Sequence, residues 1–404
     1  MQKAYKYRAY PSKEQEQAML SLLNTHRHLY NEALSQRKHF YESEKRTVTY
    51  KEQSAQLTQD RKVNPYLAGA NFSSCQRTLR RLDRAMQAFF RRIKAGENAH
   101  RAPGYPRFRG YGRFDSVEFT IGDGAKLTKD CKARFMGVGD VKIKMHRPIL
   151  GDLKTARFKK EANGWYVVVS SVLPDFDGEP SENPSVGIDL GLKSFFVDSN
   201  GDEVKPPKLY RKAQKKLKRL QRAVARKKRG GSNRRKAVKH LAKFSQHVKN
   251  QRGDFHHKTA LDLVKKFGKI AHEDLNVKSM IRSLNLAKSC HDAGWSGFIA
   301  ILSHKAESAG VEVVAVNPRH TTQTCSNCGC LPVVSLTLRD RLYNCLHCGF
   351  SLDRDFNAAI NIKNKAFPCQ ENTRSLVASP TARTEPLGVN QEDCLMDFPR
   401  SPRL

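Results

Sequence analysis

The feature that most constrains this chain lies near its C-terminus: CSNCGCLPVVSLTLRDRLYNCLHCGFSLDRDFNAAINI, residues 325–362. Cys325, Cys328, Cys345 and Cys348 make two C-x2-C pairs with sixteen residues between them. Each pair closes a tight knuckle whose two thiolates face one ion, and four thiolates complete a tetrahedral zinc shell with Zn–S of about 2.3 Å. Such a shell leaves no open position for water, so the one zinc expected here is structural. Cys330, two residues beyond its knuckle, is read as a bystander. The element either staples a loop or also offers its basic residues, Arg339 and Arg341, to nucleic acid. The second knuckle runs straight into DRDFNAAINI. A helix starting near Asp353 places Asp355, Ala359 and Ile362 on one face. The two apolar residues would pack on a neighbouring layer and aim Asp355 at it, with Asp353 as the helix cap.

Two further acids stand out. In SVGIDLGLKSFFVDSNGDEV, Val186, Ile188 and Leu190 share one strand face and Gly187, Asp189 and Gly191 the other. A carboxylate in that position is costly unless paired or metal-bound, and its small neighbours leave room for an ion and a substrate backbone. Glu273 stands where the apolar strand KIAH ends. Singly, Asp189 reads equally as a turn residue, Glu273 as a solvated strand end, and Asp355 as a first-turn acid favoured by the helix dipole. Together they match a ribonuclease-H type of sheet, in which acids from a hairpin strand, a later central strand and a C-terminal helix hold two divalent ions. Carboxylates suit Mg²⁺, a hard cation, and a pair of such ions clamps a scissile phosphate, activating water and stabilising the leaving oxygen.

At 404 residues the chain is expected to form two or three domains, and a hydrophobic content of 39% argues against wholesale disorder. No run of eighteen apolar residues appears, so no transmembrane helix is expected, and MQKAYKYRAYPSKEQ lacks the apolar core of a secretory signal. The formal net charge of +34 calls for a polyanion, and nucleic acid fits better than an acidic membrane surface because no amphipathic anchor is evident. Ten cysteines, six of them scattered, fit a reducing compartment with one metal site.

Residues 1–175 open with a strand-like KAYKYRAY, then a helix over 11–34 and another over 71–93. Leu79, Leu82, Met86 and Phe89 form the apolar stripe of the latter, with Arg77, Arg80, Arg81 and Arg84 mostly off it. From 104 the text reads as short strands and turns, a small barrel or sandwich with helices inserted. DFDGEPSENPS, 175–185, reads as a linker. Beyond it the region begins with antiparallel strands turned at Asn200–Gly201, and strands then alternate with helices towards a mixed α/β sheet, VEVVAVN being read as a buried strand. From Lys208 to Arg252 there are nineteen Lys or Arg and no acid, broken by RGGSN into a helical hairpin. Solvated helices normally mix charge signs, so this hairpin, including Lys212, Lys216, Arg219 and Arg226, is expected to contact phosphates. Phe108, Tyr111 and Phe114 alternate with Arg107, Arg109 and Arg113 and read either as base-stacking residues or as barrel filling.

VGIDLGLKSFFVDS, IAHEDLNV, TTQTCSNCG and DRDFNAAINI, with the N-terminal KAYKYRAYPSKEQ and GYPRFRGYGRFDS, resemble motifs of the TnpB family, transposon-encoded RNA-guided nucleases related to type V CRISPR effectors. The resemblance covers about residues 1–365. It implies an α/β multidomain chain: a wedge β-barrel over 1–175 with an inserted helical recognition lobe at about 15–100, and a linker at 176–185. A RuvC-like, RNase H-like nuclease domain follows over 186–320, including the basic hairpin 208–252. A zinc ribbon at 321–350, the final nuclease helix at 351–366 and a disordered tail at 367–404 complete it. It implies that Asp189, Glu273 and Asp355 are catalytic and hold two Mg²⁺. A transposon-end guide RNA would direct cleavage of double-stranded DNA beside a short adjacent motif. Tyr50, Ser54 and Gln76 lie in segments similar to those the family uses for that motif; as surface polar residues they read equally well. Arg77, Arg80 and Arg84 would meet phosphates. The expected setting is the cytoplasm of a prokaryotic cell, at the nucleoid, with a monomer favoured. Two alternatives stay open: a guide-dependent or direct DNA-binding regulator with an idle site, and a strand-transfer enzyme with a related sheet, although such enzymes usually end their acid set in glutamate.

Overall fold

A computed structural model describes residues 1–96, 104–128, 130–174, 181–277, 280, 287–333, 336–337 and 340–368. Arg339, most of the expected linker, and the tail from 369 with Cys369 and Cys394 lie outside the described residues. The chain divides into two compact units, Met1–Asp175 with Val224–Gln246, and Phe176–Ala223 with His247–Leu404.

The first unit is built on β1 (Gln2–Tyr10), β2 (Ser116–Ile121), β3 (Gly124–Thr128), β4 (Lys132–Phe135), β5 (Gly139–Lys144), β6 (Asp152–Glu161) and β7 (Gly164–Val172). They close into a barrel in the order β1-β5-β4-β3-β2-β6-β7. Period-two alternation fills it: Tyr5, Tyr7 and Ala9 of β1 point inward, with Trp165, Val167 and Val169 of β7, around Phe119, Phe135 and Phe158. Four helices enter between β1 and β2: α1 (Lys13–Glu44), α2 (Tyr50–Val63), α3 (Pro65–Ala68) and α4 (Phe72–Lys94). Ser12 with Gln15, and Thr49 with Glu52, form capping boxes that start α1 and α2. Arg37 of α1, nearly buried, donates to Gln53 of α2 (2.8 Å) and to Asp83 of α4 (3.1 Å), which fixes α2 against α4.

The reading of 104–115 as strand is corrected: that stretch is irregular, and β2 begins at Ser116. Its alternating aromatics and arginines imitate a strand, but Pro106 and the glycines at 104, 110 and 112 interrupt any ladder. Phe114 is core, whereas Phe108 and Tyr111 are exposed.

The second unit holds β8 (Ser185–Asp189), β9 (Phe196–Asp198), β10 (Glu203–Val204), β11 (Lys269–Glu273) and β12 (Glu312–Val316) in the sheet order β10-β9-β8-β11-β12. The first three run antiparallel; β11 is parallel to both β8 and β12. β12 is therefore an edge strand with only Val316 buried, not the buried strand its apolar run suggests. The basic stretch forms α5 (Leu209–Ala225) and α6 (Ser232–Lys266). TALDLVKKF is not a separate helix but the last turns of α6, where Ala260, Leu263 and Val264 reach the core. Helices α7 (Ala287–Ala293) and α8 (Trp295–Glu307) cover the same sheet face, Trp295 and Phe298 packing with Val186, Ile188 and Ile270. The ribbon strands β13 (Leu342–Asn344) and β14 (Ser351–Asp353) lead directly into α9 (Arg354–Ala366), which covers the opposite face.

The approach of α9 depends on Gly187. A Cβ there would stand 2.2 Å from the carbonyl oxygen of Ala359 and 2.6 Å from the backbone nitrogen of Lys363. Both contacts are backbone and cannot swing aside. Gly187→Ala is therefore expected to destabilise the second unit by about 1–3 kcal/mol, the range for overpacking a well-filled core. Chemical denaturation checks this, and an unchanged midpoint would contradict the packing.

Candidate active site and nucleic-acid interface

Asp189 and Glu273 end adjacent parallel strands. Ile188 is in register with His272, so the two acids follow as neighbours, on strands about 4.8 Å apart. They share the face of Gly187 and Ala271, on which α9 lies through Ala359 and Ile362, both fully buried. Asp355 is in the first turn of that helix. Asp353 is the N-cap, its carboxylate accepting from the backbone N–H groups of Asp355 (2.9 Å) and Phe356 (3.2 Å). The three acids expected from the sequence thus converge at the carboxyl ends of two interior strands, β8 and β11.

The electrostatics register that convergence. Asp189 is pushed up to about 8, first by burial and then by the negative charges of Glu273 and Asp355, with Arg354 opposing. Burial also raises Glu273, against a hydrogen bond from Thr321 and the charge of Lys365. Asp355 is flanked by Arg354 (3.2 Å) and, more distantly, Arg341 (3.9 Å). Carboxylate oxygens are the donors a hard divalent cation takes.

The four cysteines gather as their spacing demands, with all four Sγ atoms within 4.8 Å of one another. Cys325 and Cys348 stand 3.7 Å apart, and Cys328 and Cys345 3.6 Å. A tetrahedron with 2.3 Å bonds has edges of about 3.8 Å, so the set can hold one zinc. Burial pushes the Cys325 thiol up to about 11, while the backbone N–H of Phe350 and the Asn327 amide hold Cys348 down at about 6. Cys330 is not isolated: it lies within 4.8 Å of Cys328 and His347.

On the first unit, Tyr50 and Ser54 of α2 meet Gln76 and Arg80 of α4. Gln76 donates to Ser54 (3.2 Å), and Arg80 donates to the Tyr50 hydroxyl (3.0 Å) while stacking on its ring. The three residues singled out for motif reading, 26 positions apart at the extremes, thus form one polar patch. Beside it a cavity of about 180 Å³ is lined by Arg77, Arg80, Arg81, Arg84 and Arg157. Arg77 is held by Glu118 (2.7 Å) and Thr120, whereas Arg84 is exposed with no partner among the described residues. Lys212, Lys216 and Arg219 on α5, and Arg226 just past it, are all exposed.

Sequence reasoning missed two kinds of residue. Asp292, on α7, caps α5 from 82 residues away, accepting from the N–H groups of Tyr210 (2.8 Å) and Arg211 (3.2 Å). Thr321, Asn357 and Asn361 join the ribbon segment to the acids. Thr321 is buried, and its hydroxyl donates to Glu273 Oε1. The TTQTC run before the first knuckle was the available signal, but nothing local says what a hydroxyl there meets.

A closed barrel in one unit, and in the other a mixed sheet with a four-cysteine ribbon feeding an acid-bearing helix, define a multidomain nuclease-like architecture. The solved Cas12f1–sgRNA–target DNA complex shares the fold, with TM-score 0.57 at 14% identity over 91% of this chain and 99% of that one. A Cas12f1-like TNB domain matches residues 295–362, the probable transposase OrfB_IS605 residues 168–284, and its helix-turn-helix domain residues 1–46. The last of these spans one strand and a single long helix here. A putative RNA-guided DNA endonuclease of Streptomyces pristinaespiralis is 30% identical over 371 residues, 90% of this chain and 89% of the relative. The putative RNA-guided DNA endonuclease InsQ of Escherichia coli K12 is 26% identical, covering 89% and 91%. The Cas12f1 endodeoxyribonuclease of Sulfoacidibacillus thermotolerans is 26% identical over 50% of each chain. The chain belongs to the TnpB family of IS605-type transposon proteins.

The raised carboxyl has a pH consequence. The folded chain keeps the Asp189 proton up to about pH 8, while an unfolded aspartate releases it near 3.8. The native state therefore binds more protons across that window, and stability falls as pH rises through it. In magnesium-free buffer Asp189→Asn should remove much of this slope and raise the thermal midpoint at pH 8 relative to wild type, with little difference at pH 4. Parallel midpoint–pH curves would contradict the crowding of the three acids.

Proposed function

We propose that this protein is an RNA-guided DNA endonuclease in which Asp189, Glu273 and Asp355 carry out phosphodiester hydrolysis. The observation that carries this reading is the convergence of those acids at the carboxyl ends of β8 and β11, with Asp189 raised first by burial and then by both of the others. Family membership supplies the reaction class, since relatives across most of the chain are named RNA-guided DNA endonucleases.

The three carboxylates would hold two Mg²⁺ ions, whose chemistry is to activate water and stabilise the leaving oxygen of the scissile phosphate. The chain's own part is to set the donors. Strand register places Asp189 beside Glu273, the α9 cap places Asp355, and Thr321 orients Glu273. Arg341, exposed at the rim, is suited to a phosphate approaching Asp355. The barrel is read as a wedge domain, its helices α1–α4 as the recognition lobe, the sheet with α9 as the RuvC-like nuclease domain, and the cysteine set as a structural zinc site.

Guide RNA and target DNA are the proposed partners, in keeping with a net charge of +34. The α5–α6 hairpin, free of acids from Lys208 to Arg252, would grip a guide or guide–target duplex by its backbone. The Tyr50–Ser54–Gln76 patch would read the adjacent motif, and Arg84 and its neighbours would hold flanking phosphates. Among the described residues no helix is long and apolar enough to cross a membrane. Acting on DNA, it would work in the cytoplasm of a prokaryotic cell, at the nucleoid.

The test is purification with co-expressed RNA, sequencing of that RNA, and assay on duplex DNA carrying the matching target. Cleavage should require Mg²⁺; Asp189→Asn should bind DNA as wild type and lose cleavage. Wild-type cutting by that variant would remove the assignment. For the ribbon, metal analysis should return about one zinc per chain. Cys345→Ser should lose it and lower the thermal midpoint, because metal-binding energy here is folding energy.

A further inference from the structure

The ribbon and the acids are joined by more than chain continuity. Asn357, fully buried on α9 two residues after Asp355, donates to the carbonyl of Thr324 (2.8 Å) and accepts from the N–H of Ser326 (2.9 Å). It thereby grips the backbone on both sides of the zinc-ligand candidate Cys325. Asn361, one turn further, donates to the carbonyls of Thr321 (2.9 Å) and Thr324 (2.7 Å). Thr321, at the start of the same segment, has its single hydroxyl proton within reach of Pro318 O (2.9 Å) and of Glu273, the stronger acceptor when ionised. Arg354 spans from Thr337 O in the ribbon (2.9 Å) to Asp355 (3.2 Å).

We propose that the cysteine ribbon is a positioning clamp for the carboxylate cluster. Residues 321–326, locked at one end by the Cys325 knuckle, hold Glu273 through Thr321 and hold α9, with Asp355, through Asn357 and Asn361. Two of the three acids thus take their positions from the ribbon, and the site's affinity for divalent ions depends on the ribbon being folded. Thr321, Asn357 and Asn361 are positioning residues. The inference rests on the reading that the three acids bind the catalytic ions.

A buried side-chain amide such as that of Asn357, satisfied by backbone on a neighbouring element, makes a stiff joint, because breaking it leaves buried polar groups without partners. A hydroxyl that orients a ligating carboxylate is an outer-shell partner of the kind whose loss costs about 10–100-fold in metal affinity. The clamp also accounts for the direct join at Asp353, which ends ribbon strand β14 and caps α9. No linker dilutes the coupling.

The experiment uses the full chain purified with its RNA. Mn²⁺ binding is followed by electron paramagnetic resonance without DNA, and Mg²⁺ dependence of cleavage separately. Thr321→Val should weaken Mn²⁺ binding about tenfold and shift the Mg²⁺ requirement upward, with zinc content and DNA affinity unchanged. Thr321→Ser, which keeps the hydroxyl, should restore both. Asn361→Ala, at a partly buried position, should act in the same direction and decides the matter if Thr321→Val loses zinc. Wild-type Mn²⁺ affinity in both Thr321→Val and Asn361→Ala overturns the clamp. If Asp189→Asn still cuts at the wild-type rate, the nuclease assignment falls, whatever the Thr321 variants do; if only the Thr321 and Asn361 variants behave as wild type, the clamp alone falls.

Discussion

The second unit depends on one close approach: the backbone of α9 lies against β8 where Gly187 has no side chain. That gap lets Ala359 and Ile362 bury fully on the sheet. It also fixes the height at which the first turn of α9 stands over the strand ends. Asp355 reaches the cluster only because the helix is this near. A larger residue at 187 would lift the helix and separate the acids.

The cluster that results is costly on its own. Burial first, and neighbouring negative charge second, disfavour ionisation there, which the raised Asp189 records. The surroundings carry that cost: Trp295 and Phe298 pack beneath the opposite face, and the amides of Asn357 and Asn361 fasten the helix to the ribbon. In the first unit the same division recurs. A tightly filled barrel carries the helices, and Arg37 links α1, α2 and α4 so that the Tyr50 and Gln76 side chains share one patch. In each unit a packed apolar layer holds polar groups in arrangements they would not adopt alone.

Much of this was readable residue by residue, and the failures have physical causes. The cysteine pairs, the Ser12 cap, the alternation in β1 and β7 and the i, i+4, i+7 face of α9 are local patterns, and local patterns persist in the fold. Helix α2 escaped notice because only Gln53 and Leu57 of its fourteen residues are buried, too few to make a stripe. The stretch 104–115 imitated a strand because aromatics alternate with arginines there, although Pro106 and three glycines forbid a ladder. VEVVAVN looked buried because apolar content does not reveal whether a strand lies at the centre or the edge of a sheet.

By itself the sequence determined the donor chemistry: four thiolates at ligand spacing, three carboxylates at the ends of ordered elements, and a cationic hairpin with no acids. Those are properties of residue type and near-neighbour spacing, which folding does not alter. Only the tertiary structure decided which groups meet. The register of Ile188 against His272, the cap that Asp292 lends to α5 across 82 residues, and the bond from Thr321 to Glu273 across 48 all join segments whose separation along the chain carries no signal. Contacts of that kind arise from packing, and packing is a property of the whole chain.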